Sequence, residues 1–341
     1  MKLQGQSVPR NLSTTKTMPI ELDNAEALAI AARDPRVFRV CGKDIKTSGR
    51  ILRIGRLEGE GYEFWEGDPQ RLLDGLRQSS SRVDVFTFTQ RLPETLPRHQ
   101  YKMEWDNFAA VEITTFEHWW TQQIGFKARN KAKQATKKGV VLRVVPFDEE
   151  LVRGIWEIYN EHPVRQGRRF YHYGKTLKTV YREESTHLDR SVFVGAFFHD
   201  KLIGFIKLVA DETNTQAGLM NILSMIKHRD KAPTNALIAE AVKLCAERNI
   251  RYLVYSRFSY DGKERSSISD FKERNGMSRI EIPRYYVPLT EIGRLALQLG
   301  LHRPIKSRVP EALLVGMREL RAKWYDRNFS SANSSSLPTP E

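Results

Sequence analysis

The feature that most restricts how this chain can fold is the order of its periodic segments between Val140 and Val287. Apolar alternation marks strands over 140–145, 191–198, 202–210, 217–225, 251–255 and 278–287, and helical spacing marks 148–161, 174–185, Pro233 to Asn249 and 266–274. The order is β-α-α-β-β-β-α-β-α-β. Three consecutive strands form a meander, while the later strand–helix–strand steps need crossovers, so the sheet must be mixed. This order argues against a doubly wound Rossmann sheet, which alternates strand and helix.

The flanking text is less regular. Residues 1–22 are polar and aperiodic and read as a disordered leader, after which Asp23 and Asn24 cap a short helix that stops at Asp34-Pro35. Strand-like text follows in Arg50–Gly55 and Tyr62–Trp65, a helix opens at Asp68-Pro69, and Val83–Phe88 and Asn107–Ile113 read as strands. Thr114-Thr115-Phe116-Glu117 has capping-box spacing and predicts one helix to Lys138, stopped by Gly139. Ile124, Ala128, Ala132 and Ala135 line one side of it, a stripe of small residues that permits close packing. Glu291–Leu301 and Pro310–Arg327 read as amphipathic helices, and Ser330–Glu341 as a disordered Ser/Pro-rich tail. The expected organisation is therefore a leader (1–22), an N-terminal unit (23–113), a main α/β domain with a mixed sheet (114–289, entry helix 114–138), C-terminal helices (290–329) and a tail (330–341).

Charge is concentrated. The chain carries 55 Lys+Arg against 41 Asp+Glu, a net +14. Seven of the positive charges fall in Gly125–Arg143 and six in Pro163–Arg182, both without an acid. Nucleic acid and anionic membrane are the partners such stretches attract. Both stretches are expected to border one anion-binding cleft. Cys41 and Cys245 are the only cysteines and sit in no ligand-spaced cluster, so a disulfide framework or structural zinc site is not expected. The start of the chain lacks a secretory apolar run, and no window reaches the roughly 18 apolar residues of a membrane span. A cytoplasmic location is expected.

The element order over Val140–Val287 resembles the fold of the GNAT superfamily of acyltransferases. Lys127-Ala-Arg129-Asn130-Lys131-Ala-Lys133-Gln-Ala135-Thr-Lys137-Lys138-Gly139-Val140 resembles the basic, alanine-rich helix that opens the second half of FemAB-like transferases, and Phe271-Lys272-Glu273-Arg274-Asn275-Gly276 resembles their Phe-Lys-x-x-x-Gly element. In that family two GNAT-like halves pack together, and residues 50–113 would be a shortened first half. Acetyl-CoA-dependent members cradle the pyrophosphate with a glycine-rich loop before the long helix. Here that loop is Lys227-His228-Arg229-Asp230-Lys231-Ala232-Pro233, without glycine, and is closer to FemAB-like relatives that take aminoacyl-tRNA.

The resemblance implies direct, metal-independent transfer of an acyl or aminoacyl group to an amine. Acyl-CoA or aminoacyl-tRNA would serve as co-substrate, with no tightly bound cofactor. The loop between the first two helices would cover the acceptor, with Arg165 and Arg168 clamping an anionic group and Tyr171 forming a wall. Glu161 or His172 would be the base, and Tyr255 would protonate the leaving group. His228, Arg229, Lys231 and Asn235 would hold the donor at the helix start. Lys127, Arg129, Lys131 and Lys133 would contact tRNA, and Asn221 and Lys272 would bind substrate. Lys207 and Asn221 stand in apolar strand text, where an edge or outward position is the simplest placement. A second reading is a non-catalytic GNAT-derived module that binds RNA or anionic membrane through the basic stretches.

Overall fold

The structure is a computed structural model that describes residues 36–61, 68–259 and 266–303. The expected leader, the helix before Asp34, the Tyr62–Trp65 strand, the Pro310–Arg327 helix and the tail lie outside the described residues.

In the first part of the chain, β1 (Val37–Val40), β2 (Lys43–Ser48) and β3 (Ile54–Leu57) form an antiparallel meander. The first two are short and mostly half exposed, and periodicity did not reveal them. Helix α1 (Pro69–Gln78) begins where Asp68 accepts from the Gln70 amide, and it buries Leu72, Leu73 and Leu76. β4 (Val85–Thr89) then pairs in parallel with β3 over only two residues, Ile54 with Val85 and Gly55 with Phe86. β5 (Lys102–Glu112) follows.

The long helix expected over 114–138 is interrupted. Thr115 caps a single turn, Phe116–His118, by accepting from the His118 amide, so Glu117 is not in capping-box register. Trp119–Gln123 winds as a π turn. Gly125 is extended, and its N–H donates to the Arg274 carbonyl. A Cβ there would stand 3.1 Å from that oxygen, a tight contact that a larger residue could make only by shifting the two segments slightly apart. The basic helix proper, α2 (Phe126–Lys137), keeps its stripe: Ala128, Ala132 and Ala135 are buried, and Gly139 closes it at φ +82°.

β6 (Val141–Val145), α3 (Glu149–Asn160), the two-residue strands β7 (Val164–Arg165) and β8 (Arg168–Arg169), α4 (Leu177–Glu184), β9 (Ser191–Phe198), β10 (Lys201–Ala210), β11 (Gln216–Ser224), α5 (Pro233–Glu247), β12 (Tyr252–Val254), α6 (Ser267–Arg274), β13 (Ser278–Pro288) and α7 (Glu291–Gln298) complete the described chain. Apart from the small hairpin, the order is the expected one.

One mixed sheet of eleven strands runs through both parts, in the order β1-β2-β3-β4-β13-β5-β12-β11-β10-β9-β6. The two middle strands are exchanged. β13, last in the second part, pairs with β4 of the first, and β5, last in the first part, pairs with β12 of the second. On one face α5 and α2 pack over Val194, Ile203 and Leu253. On the other, α3 and α4 cover Phe193, Leu202 and Phe205. Alternate residues of one strand thus feed two cores.

The two acid-free stretches consequently do not border one cleft. α2 belongs to the α5 face and 163–182 to the α3/α4 face. The second stretch also meets acids in space, through Arg165–Glu161 and Lys175–Glu183.

Candidate active site

β11 and β12 are parallel for three residues only, Gln216–Gly218 against Tyr252–Val254. Beyond them the strands part. The chain after β12 stays on β5: the Tyr255 amide donates to Ala109 O (2.7 Å), the Ala109 amide to Ser256 O (2.9 Å) and the Ser259 amide to Asn107 Oδ1 (2.9 Å). Ser256 is held at φ +53°, a left-handed conformation that a non-glycine residue adopts at a cost. β11 instead follows β10 through a bulge, since Lys207 faces Asn221 while Leu208 faces Leu219, leaving Met220 as the extra residue. The result is a wedge between 219–224 and 255–259. Its β11 wall is half exposed from Met220 to Ser224.

Two helices close the wedge on the α5 face. At its first turn α5 is uncapped by any side chain, because the residue before Pro233 is Ala232. Thr234 Oγ1 lies 2.9 Å from Ser224 Oγ, and Asn235 Nδ2 donates to Asn275 Oδ1 at 3.2 Å. Asn275 also accepts Trp119 Nε1 on its carbonyl at 3.2 Å, so the π turn fixes the end of α6. Gly276, at φ +80°, leaves room for that indole.

From α6, Lys272 points into the wall of the wedge. It is fully buried; its Nζ donates to the Arg257 carbonyl and stands 4.6 Å over the Tyr255 ring. Burial brings this ammonium group down to about 8. Arg257 is itself held by Asp106 on β5, 2.8 Å away.

The α3/α4 face of the wedge is polar. Asn221 Nδ2 donates to Glu184 Oε1 (2.6 Å), which also accepts Tyr159 OH (2.7 Å). Glu184 is fully buried, and burial raises its carboxyl above the ordinary range even against Lys207 and its two donors. Lys207 is not at an edge, as the sequence suggested. It is buried in a central strand, where Nζ donates to the carbonyls of Glu184 (2.7 Å) and Thr186 (2.8 Å) and to Thr186 Oγ1 (3.2 Å). All three ammonium donors are thereby used at the negative end of α4. Burial still lowers it to about 8.

Other expected site residues are placed elsewhere. Glu161 accepts the amides of Ile226 and Lys227 and the Arg165 guanidinium, which makes it a brace for the loop after β11 instead of an exposed base. Arg165 donates to Ser224 O and Ile158 O (both 2.8 Å) and lies on Phe170, so it is not turned outward as a clamp. Arg168 projects from the opposite strand of the small hairpin and is exposed.

His172 packs on Tyr159, and Lys175 Nζ lies 3.1 Å from its Nδ1, where it donates to the lone pair a base would use. Burial, with Lys175 and Arg165 nearby, brings its imidazole down to about 4. Tyr171 is exposed beneath Lys175.

His228 and Lys231 fold back onto Phe198, at the β9–β10 turn, two strands away from the wedge; Arg229 is exposed. Lys127, Lys131 and Lys133 are exposed on α2, while Arg129 is turned to the Trp120 carbonyl.

The structure therefore brings together Tyr255, Lys272, Asn221 and Asn235 around one wedge, and adds Glu184 and Tyr159. Neither addition carried a local signal: each sits in an ordinary amphipathic helix, and the chain Tyr159–Glu184–Asn221 that joins them spans α3, α4 and β11.

No protein-family model matches the chain, and no curated protein matches it in sequence. Solved structures do match. The C-terminal (DUF2156) domain of a candidate lysylphosphatidylglycerol synthetase from Agrobacterium fabrum aligns over 77% of this chain and 86% of its own, with TM-score 0.51 and 14% identity. FemX aligns over 75% and 86%, with TM-score 0.50 and 10% identity. With two strand–helix–strand wedges in one continuous mixed sheet, the chain has a FemAB-like, GNAT-type fold.

Proposed function

We propose that the chain transfers an acyl or aminoacyl group to an amine at the wedge between β11 and the segment after β12. The observation that carries this reading is Lys272, a fully buried ammonium group that donates to the Arg257 carbonyl and stands over the Tyr255 ring at the wall of the wedge. Burying such a charge is costly. A cation held there would stabilise negative charge that develops on the acyl oxygen or the leaving group.

In the transfer, the amine nitrogen attacks the acyl carbon, a C–N bond forms, and the C–O or C–S bond to the carrier breaks. The nitrogen loses one proton, and the leaving oxygen or sulfur gains one, which the phenol of Tyr255, just after β12, would supply. The loop before α5 has no glycine, and its His228 and Lys231 are turned away. Of the two donors implied by the FemAB-like resemblance, this favours an aminoacyl ester over acyl-CoA. Glu161 and His172 are not assigned as bases here.

The test is to incubate the full chain with acetyl-CoA and, separately, with a mixed aminoacyl-tRNA pool, in the presence of small amines, and to follow amide products by mass spectrometry. Donor-dependent amide lost in Lys272→Met supports the reading. No consumption of either donor overturns it.

One observation favours a second reading. Lys127, Lys131, Lys133 and Lys137 are exposed on α2 with no ion pair to an acid among the described residues. A binding module for RNA or anionic membrane would use this face, and would show salt-dependent binding without turnover.

A further inference from the structure

We propose that Glu184 is a positioning residue that fixes the Asn221 side-chain amide so that its carbonyl oxygen faces the wedge and accepts a hydrogen bond from the attacking amine. This rests on the acyl-transfer reading above.

Asn221 stands on the part of β11 that has left β12, and it is partly exposed. Its Nδ2 and the Tyr159 hydroxyl converge on one oxygen of Glu184. The other oxygen is buried and has no hydrogen-bond partner among the described residues. An ionised carboxylate only accepts, and one protonated on the free oxygen still accepts through Oε1. In either state Asn221 must present its NH2 to Glu184. The amide is planar, so the carbonyl oxygen points the other way. A flipped amide would set oxygen against oxygen at a buried site and forfeit a hydrogen bond to the acid.

No neighbouring cation can replace the acid in this arrangement. Lys207, opposite Asn221 in register, is committed to the carbonyls at the end of α4, and Lys175 to Glu183. Tyr159 is kept in its protonated form by burial and by the Glu184 charge, so it remains a donor. Glu184 is thus the group that selects the amide's orientation. A primary amine can donate one N–H to Asn221 and direct its lone pair at the acyl carbon; as the C–N bond forms and the bond to the carrier breaks, its other proton passes to water while the leaving oxygen or sulfur takes one up.

Two readouts on the full chain test this. In the first, the Asn221 side-chain amide protons are assigned by NMR through their loss in Asn221→Ala. A downfield, exchange-protected pair that collapses in Glu184→Gln is expected, because glutamine offers both a donor and an acceptor and frees the amide to turn. An unshifted, unprotected pair in the unaltered protein overturns the proposal whether or not transfer occurs.

In the second, propylamine is the acceptor, with acetyl-CoA and aminoacyl-tRNA as donors. Glu184→Gln is expected to raise the propylamine KM about tenfold, a larger effect than on amine-independent donor hydrolysis. Asn221→Ala carries the same expectation should the glutamine variant not fold, while Tyr159→Phe should shift KM less than about twofold. Equal losses of donor hydrolysis and amide formation would mark a purely structural role and overturn the proposal. If the unaltered protein consumes neither donor, the acyl-transfer reading fails and the amine role with it, while the NMR result still decides the amide lock.

Discussion

The molecule contains the same device twice: a strand, a helix and a parallel strand that separate after two or three paired residues. In the first part, β3 and β4 part after Gly55 and Phe86, and the gap is filled by charge. Arg284 on β13 reaches Glu60 through both terminal nitrogens (2.9 and 2.8 Å), Asp106 through Nε (2.7 Å) and Thr87 Oγ1 (3.2 Å). Although burial opposes its charge, Glu60 and Asp106 hold this guanidinium firmly protonated. Thr87, Phe88, Thr89 and Gln90 are all buried. In the second part, β11 and β12 part in the same way, yet the buried cation there meets a carbonyl and a ring, and the strand wall stays half exposed. The same topology thus surrounds a buried arginine ion-paired to two carboxylates in one wedge and leaves a half-exposed strand wall beside a buried lysine in the other.

The largest test of this contrast is Arg284→Ala. It leaves Glu60 and much of Asp106 uncompensated and should destabilise the fold by about 3–5 kcal/mol in urea unfolding. A loss below about 1 kcal/mol would remove the claim that ion pairs lock the first wedge.

Lys272→Met should do the reverse, leaving stability within about 1 kcal/mol while transfer falls roughly a hundredfold. Because Lys272 is charged only below about 8, turnover should decline as pH rises through that value. Lys272→Arg, charged throughout, should move this alkaline limb upward.

On the α3/α4 face, His172 takes up its proton in the folded chain only near 4, whereas the unfolded chain does so near the ordinary value of 6.5. Between these values the unfolded state binds more protons, so stability falls with acidification, by about 2 kcal/mol at pH 4. His172→Gln should abolish that dependence in pH-resolved thermal unfolding. The smallest effect is expected at Lys131→Glu with Lys133→Glu. Stability should change by less than about 0.5 kcal/mol, while any RNA affinity should lose about two from its logarithmic salt slope.

The sequence showed the second wedge better than its contents. Apolar text located β11, α5 and the short, fully buried β12, and Asn221, Lys272 and Tyr255 were named from those segments or from the family resemblance. The exchange of β5 and β13 was hidden, since both strands read alike whichever neighbour they pair with. Glu161 and Arg165 looked like a base and a clamp because local text cannot show that the amides of Ile226 and Lys227 and the carbonyls of Ser224 and Ile158 already occupy them. Lys207 misled for a related reason: its three acceptors come from the end of another helix.

The strand exchange also sets a timetable for synthesis. Gln90, just after β4, and Tyr285 of β13 are bonded across 195 residues. At roughly 5–20 residues per second, about 10–40 s separate their emergence from the ribosome. Through that interval the first part holds β4 with one side unpaired, an exposed edge of the kind that invites pairing with other chains. Nascent-chain handling, and not the stability of the finished protein, should therefore govern how much of it accumulates: slowing translation would lengthen the exposure of β4, and a chain ending before Ser278 would keep it permanently.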